Sequence, residues 1–464
     1  SVNASFPKNE GLVNDFVAQT LSGHSFLLSN VMKANYKKKN GGVADLEWKV
    51  SFVDKRGVLN MSETNMSQLL RQRKFQSEAT GSLLAFTIPH LMFNLNGKVM
   101  FDWQRVSAGL NSLSDASGSE QKTWLLGAFV SPKILLHFGN RLQWLVYVPV
   151  GVKYYHSADG SLDYDKRFFS TCPYSNLTYK PTGRLSFDLT TICEESMPSV
   201  LSQMVLKHFV NYRTTMSNPY QVEIVPNRSV KLAFTSSYKD IIKMLFGGVT
   251  LSYVDARNGN SMGYQVVDDV VNYIVQSQST KNRVWQIEQT VAKGFFRWNS
   301  KISESLSIGT SRSEYYIGGD CHDGRSDYLQ AKISYVASVR KWLNLSISND
   351  YSVSKPYTDG KASGEVYRTF MNASSFTFWL GKQLNVVPSV QYYHNNYFSS
   401  GRSNVFLNTV MEYYWGNATL SLKCTNLLDR RTFHRIIDNG ITRYSGEYQL
   451  RGRTILFGIR IKII

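Results

Sequence analysis

Residues 442–464 read "TRYSGEYQLRGRTILFGIRIKII". The ending is strongly apolar, yet Arg460 and Lys462 lie inside it. Taking alternate residues separates two sets. Ile455, Phe457, Ile459, Ile461 and Ile463 form one, and Thr454, Leu456, Gly458, Arg460 and Lys462 the other. Alternate side chains of a strand point to opposite faces. One face is therefore purely apolar and the other mixed. A soluble sandwich buries such an apolar face inward, and a membrane barrel turns it toward lipid. The remainder of the chain has to decide between them.

Composition narrows the choice. Hydrophobic content is 42%, too low for a bundle of membrane helices, and no apolar stretch reaches the ~18 residues of a spanning helix. Aromatic content is 13%, which suits many antiparallel strands with girdles of rings. The net charge is +18. Nucleic acid is disfavoured as a partner because the basic residues are scattered among strands rather than gathered on one arm. Lys37-Lys38-Lys39 precedes Asn40-Gly41-Gly42 and reads as a solvated turn. The phosphates of lipopolysaccharide are a natural counter-charge for such a chain in an outer membrane. The sequence begins at Ser1, as a processed protein or a fragment does.

The spacing of alternating segments carries the decision. Strands are expected at 283–297, 301–311, 327–338, 342–353, 366–380, 384–396, 403–414 and 417–427, then a terminal strand. Tight turns fall at Trp298-Asn299-Ser300, Arg340-Lys341, Gly381-Lys382 and Trp415-Gly416-Asn417. Between them lie long gaps such as "SRSEYYIGGDCHDGRSD" (311–327) and "SKPYTDGKASGE" (354–365). Short and long connections alternate, as in outer-membrane barrels. The strands exceed the usual ~5–6 residues of soluble proteins. Upstream, short turns are expected at 38–42, near 89–96, and at 139–141, 181–183 and 239–243. Long gaps are expected near 55–76, 108–121, 157–170 and 194–227. About 19 strands follow residue 23. The fold expected is an all-β, antiparallel transmembrane barrel over 23–464, of about 20–22 strands in all. Residues 1–22 are an upstream strand or loop.

The faces agree. Ala418, Leu420, Leu422 and Cys424 alternate with Thr419, Ser421, Lys423 and Thr425. A lysine is cheap in a wet lumen and costly in lipid. Arg460 and Lys462 are thus assigned to the barrel interior and its periplasmic rim, and the isoleucines to lipid.

Two stretches carry a family likeness. "NLTYKPTGRLSFDLTT", the loop "MPSVLSQ" and "SNPYQVEIVPNRSVKLAFTSSY" resemble the C-terminal barrel of TonB-dependent receptors, above all the Bacteroidetes outer-membrane β-barrel family. Ser217-Asn218-Pro219 with Pro226 stands where that family has Gly-Asn-Pro and a second proline, with Ser for Gly and a longer gap. Asn426-Leu427-Leu428-Asp429 resembles its Asn-Leu-Phe-(Asn/Asp) motif before the last loop. The resemblance implies ligand uptake across the outer membrane, with TonB and a plug domain as partners. It also implies a barrel of roughly 22 strands, so a plug and the first strands are expected to be missing from this chain. The competing expectation is a non-transporting scaffold subunit of a secretion, assembly or lipoprotein-handling complex.

Catalytic, cofactor and metal sites are not expected. The eight histidines lack metal-ligand spacing, and no nucleophile motif occurs. Asp320, Cys321, His322 and Asp323 gather in one gap and read as a polar extracellular loop. Loops 312–326, 354–365 and 429–446 are expected to line the ligand path, and 197–212 to form a short amphipathic helix. A turn centred between Thr182 and Gly183 places Cys172 opposite Cys193, so a disulfide between them is expected.

Overall fold

A computed structural model gives the architecture. It describes residues 2–5, 8–13, 17–37, 43–61, 66–111, 116–159, 163–205, 207–211, 214–219, 222, 224–267, 270–363, 365–396, 402–438 and 443–462. Within these, 28 strands join one sheet and two more form a separate ribbon.

The wall is a continuous antiparallel ladder. It begins with β1 (Val2–Ser5) and β2 (Lys8–Val13), two pieces of one edge that both pair with β3 (Val17–Lys37). It continues through β4 (Val43–Met61), β5 (Met66–Ile88), β6 (Leu91–Asn111) and β7 (Ala116–Phe138). Two wall strands are then broken at prolines, which cannot donate to a ladder. β8 (Leu142–Tyr147) and β9 (Val150–Ala158) flank Pro149, and β10 (Asp163–Thr171) and β11 (Tyr174–Tyr179) flank Pro173. The wall runs on through β12 (Leu185–Ser196), β15 (Asn227–Asp240), β16 (Leu245–Asn258), β19 (Thr280–Phe295) and β20 (Ser300–Ile317). It ends with β21 (Asp320–Arg340), β22 (Leu343–Thr358), β24 (Tyr367–Leu380), β25 (Leu384–Asn395), β26 (Ser403–Trp415), β27 (Ala418–Thr425) and β30 (Thr454–Ile461). Counting each broken strand once, the wall from Val17 onward has about 19 strands, the number expected. Among the described residues no ladder joins β30 to β1 or β2.

Several expected gaps are not loops. β20 and β21 remain paired as far as Ile317 and Asp320, turning only at Gly318 and Gly319. Both glycines have positive φ (59° and 103°), which a side chain would oppose. β5 and β7 each have 23 residues, whereas crossing a bilayer takes about 9–11. The hairpins therefore stand tall beyond any membrane. The Gly/Asp-rich composition of 311–327 marks a largely polar paired strand rather than a loop, with Tyr315 its one buried side chain among the described residues. The turn candidate 38–42 lies outside the described residues.

At one end of the wall every described turn is short, while the other end mixes tight turns such as Gly318-Gly319 with the long segments between β12 and β15 and between β16 and β19. Arg340 and Gly319 lie at opposite ends of the 21-residue β21. The end of β30 lies beside the short turns, where the Lys462 amide donates to the Asn417 carbonyl at 2.9 Å. Phe296, Trp298, Trp342 and Trp415 are exposed there. Ten residues up from Phe295, the Trp285 and Tyr253 rings meet at 4.3 Å between centroids, tilted by 36°. Between these aromatic levels the outward face is apolar, with Leu251, Ile287 and Ile308 all more than 40% exposed. The opening question resolves the same way. Ile455, Phe457, Ile459 and Ile461 share the outward face with Leu420 and Leu422, and Arg460 shares the inward face with Thr419 and Tyr414. Ile308→Lys on the outward face should cost about 2–4 kcal/mol. Ser307→Lys, facing the lumen, should cost under about 0.5 kcal/mol. Denaturant titration of folding into lipid vesicles measures both.

Candidate functional site: a capped lumen cavity

The segment between β12 and β15 folds inward rather than outward. Ser199 starts a 3-10 turn over Val200–Gln203, its hydroxyl accepting from the Leu201 amide. The expected amphipathic helix over 197–212 stops there. The chain then extends into β13 (His208–Asn211) and β14 (Thr214–Ser217), because His-Phe-Val-Asn followed by Thr-Thr favours extended backbone. β14 pairs in parallel with β18 (Val270–Gln276), which pairs with β17 (Ser261–Val267), and β17 reaches Tyr316 and Ile317 on β20. These pieces form a cap across the inside of the wall. The small β23 (Lys361–Ala362) turns back on β22, while β28 (Thr432–Asp438) and β29 (Arg443–Gln449) form the separate ribbon.

The packed core lies where the cap docks. Val200 and Met204 cluster with Val106 and Ala108 of the wall, flanked by Leu70 and Leu201. Met204, Ile224 and Val275, all cap residues, are almost fully buried. Polar contacts fix the position. The Gln68 amide donates to the Phe209 carbonyl at 2.7 Å and accepts from its N–H at 2.6 Å. Gln203 Oε1 accepts from Tyr155 and Ser157 at 2.6 and 3.1 Å. Asn218 of the Ser-Asn-Pro motif donates its N–H to Met204 and accepts from the Val222 N–H. Its role is to close the cap's return turn.

Beneath the cap the wall forks. β10 pairs with β9, and β11 with β8 and β12. Past Ile192, β12 pairs with β15 alone. Charges bridge the fork. Lys153 and Arg228 converge on Glu195 at 2.7 and 3.0 Å, and the Glu195 side chain is only 1% exposed. A cavity of about 960 Å³ opens at this fork. Lys74, Asp102, Lys153, Cys172, Cys193 and Glu195 are among its lining. Asp102 is held by Lys74 (3.3 Å), Gln76 (2.8 Å) and Gln104 (3.1 Å). A second cavity of about 400 Å³ shares Pro198, Ser199, Asn227 and Asn258 with the first and extends to Tyr264, Tyr273, Glu314 and Tyr315.

The expected path residues are placed differently. The larger cavity takes no described lining residue from 312–326, 354–365 or 429–446, and only Glu314 and Tyr315 of these line the smaller one. Those segments are occupied by the paired ends of β20, β21 and β22 and by the β28–β29 ribbon. Sequence reading missed the cap. Its signal was the unusual run of buried-type side chains in 200–209, within an otherwise polar gap.

The Asp320–Asp323 group does not converge, because alternation sends His322 and Cys321 to opposite faces of β21. Among the described residues no three His, Cys, Asp or Glu side chains are placed to hold a metal. His322 Nδ1 instead lies 2.8 Å from Asp359 in the turn after β22. That ring, together with the Asp323 amide, holds the Asp359 carboxyl below its ordinary pKa. Asn426 and Asp429 act as staples for the last loop. Asn426 Nδ2 donates to the Arg430 and Arg451 carbonyls, and Asp429 accepts from the Arg453 amide.

Cys172 and Cys193 are free thiols within hydrogen-bond reach of each other. The register between their strands is Tyr174 with Ile192 and Tyr179 with Phe187, one residue away from the pairing the turn implied. The Thr182 hydroxyl accepts from Arg184 and Leu185 and keeps an extra residue in the turn. The thiols meet nonetheless, because the ladder stops at Pro173 and β12 departs there.

No family model matches the chain, and no curated protein matches it. Solved structures do. The copper transporter OprC superposes with a TM-score of 0.57 at 10% identity, covering 99% of this chain and 79% of that one. The fold is that of the outer-membrane receptor barrels. The ferric citrate transporter FecA in its unliganded form gives 0.58 at 10% identity, over 99% and 69% of the two chains. The ferripyoverdine receptor of the Pseudomonas aeruginosa outer membrane, bound to ferripyoverdine, gives 0.53 at 9%, over 99% and 64%. The likeness is one of architecture, an antiparallel outer-membrane barrel of the receptor type.

The fork makes a stability prediction. Lys153→Met leaves the buried Glu195 without its enclosed partner and should cost about 3–5 kcal/mol. Arg228 is 62% exposed in its side chain, so Arg228→Met should cost about 1 kcal/mol or less. Denaturant midpoints of the two variants in detergent check the order.

Proposed function

We propose that this barrel takes up a polar ligand across the outer membrane, with the capped cavity as the site where the ligand is held. The observation that carries this is the cap. A diffusion pore needs an open lumen, whereas here two inter-strand segments are packed and hydrogen-bonded across it above a charged cavity of about 960 Å³. That volume suits a drug-sized solute. In this reading the tall hairpins face the cell exterior, and the turns beside the end of β30 face the periplasm; Ile464 itself lies outside the described residues. A plug-type domain and TonB are the partners that the family resemblance implies, since moving the cap needs work that the outer membrane itself does not supply. Lipopolysaccharide surrounds the outer half of the wall.

Replacing residues 200–222 with a short Gly-Ser linker should turn a closed barrel into an open channel in planar bilayers. A wild-type protein already as conductive as the deletion variant contradicts the cap's role. In cells, accumulation of the ligand should stop when a protonophore collapses inner-membrane energy. Uptake indifferent to the protonophore contradicts energised transport.

The Cys172–Cys193 pair belongs to the same proposal. In an oxidising envelope the two thiols join as a disulfide. They give up two protons and two electrons to a disulfide-bonded oxidant, which is itself reduced to two thiols. The bridge ties the fork beneath the point where the cap departs. A non-reducing peptide map of protein from native membranes should recover both cysteines in one linked fragment, and recovery of two free thiols defeats the pairing.

A further inference from the structure

The register of the wall brings like charges together in several rows, among them Arg228–Arg257–Lys281, and two of the rows stand directly above apolar surface. Arg283 lies directly opposite Arg312, and Arg312 directly opposite Arg325, on three adjacent strands. On the far side of the chain Arg73 lies opposite Arg105, and Arg105 opposite Lys122. Each row is on the outward face. Arg283 shares its face with Trp285 and Ile287, which are 59% and 49% exposed. Arg105 points away from Val106 and Ala108, which the cap buries from within.

Directly opposed like charges destabilise a sheet, and nearby carboxylates compensate only in part. Asp327 pairs with Arg325 at 2.7 Å and Asp255 with Arg283 at 3.8 Å, while Lys355 adds a further cation opposite Asp327. In the other row Asp54 pairs with Arg71 at 2.6 Å and Arg73 at 3.5 Å, and Glu120 with Arg105 and Lys122 at 2.5 and 2.9 Å. Counting these pairs, each row holds four cations against two carboxylates; one step beyond the Arg283 row, Lys281 and Arg257 balance Glu314 and Asp323, so the positive excess remains.

What lies below each row is apolar. One step toward the short-turn end, Phe75, Trp103 and Trp124 stand opposite one another beneath the Arg73 row. Beneath the Arg283 row a groove of about 710 Å³ runs over Leu251, Trp285, Ile287, Ile308, Leu329 and Val353, with Lys355 at its rim. A cationic row above an apolar groove fits a ligand that is anionic at one end and hydrocarbon at the other.

We propose that the two rows are binding sites for lipid A, the phosphorylated, multiply acylated anchor of lipopolysaccharide. Its phosphates sit on the Arg283–Arg312–Arg325 row and on the Arg73–Arg105–Lys122 row, and its acyl chains lie on the aromatic and aliphatic surface below. Free phosphate has no use for the groove, and a singly charged phospholipid leaves the positive excess unmatched. Guanidinium groups bind phosphate through two parallel hydrogen bonds, and three opposed strands can hold two phosphates at once.

The test is native mass spectrometry of the full chain in mild detergent, titrated with bisphosphorylated hexa-acyl lipid A, dephosphorylated lipid A and phosphatidylglycerol. Wild-type protein should bind two molecules of lipid A. Arg283→Gln/Arg312→Gln/Arg325→Gln should lose one of them, and Arg73→Gln/Arg105→Gln the other, each site weakening by about tenfold or more. Removing the phosphates should weaken both sites comparably. The two variants are read independently, so failure of one to fold leaves the other site as the readout. Wild-type lipid A stoichiometry in a folded variant, equal binding of the dephosphorylated lipid, or equal competition by phosphatidylglycerol overturns the proposal. Lipid binding is scored without transport, so its failure is distinct from failure of the uptake reading.

Discussion

The structure depends on one constraint: a backbone that crosses lipid must satisfy its own hydrogen bonds. A sheet does this only between strands, so the wall is a single ladder with near-complete register from β3 to β30. Side-chain chemistry follows from the ladder. A period of two sends isoleucine, leucine and phenylalanine outward and serine, threonine and lysine inward. Where proline removes a donor, at Pro149 and Pro173, the wall strand breaks, and the second break coincides with the fork. The polar bridge Lys153–Glu195–Arg228 then joins strands that the ladder no longer joins.

A barrel wall buries little on its own, since one face meets lipid and the other water. The described residues pack a true core only where the cap meets β5, β6 and β7. Docking there is by apolar side chains from Val200 to Met204 and by amide pairing of Gln68 with Phe209. The cap is therefore held by local contacts weaker than the wall's ladder. The proposed uptake requires an element that moves, and such elements come from the less stable part of a structure.

The terminal strand shows what could be read in advance. Ile455 to Ile461 gave the faces, and Trp415-Gly416-Asn417 and Arg340-Lys341 gave the turn end, because both signals are local. Hairpin height was hidden, since Tyr315 to His322 is mostly polar and glycine-rich, and what buries Tyr315 is a segment about fifty residues upstream rather than a local apolar stripe. The cap was hidden because its partners, Val106 and Gln68, lie roughly 100 to 140 residues upstream. Cys172 and Cys193 were brought together by sequence, but through a symmetric turn that Thr182 distorts. The arginine rows were invisible for the same reason as the cap: Arg283, Arg312 and Arg325 become neighbours only once the register of three strands is known.

The central claim is that the outward face meets lipid between the level of Trp285 and the level of Trp298 and Trp342. Single-tryptophan variants retaining one of these residues, reconstituted in vesicles of lipids brominated at graded depths, test it directly. Each indole should be quenched most by bromines near the headgroups, and Trp285 and Trp298 should report opposite leaflets when only one leaflet carries the quencher. Equal quenching of both from the same leaflet, or no quenching by any brominated lipid, would contradict the account.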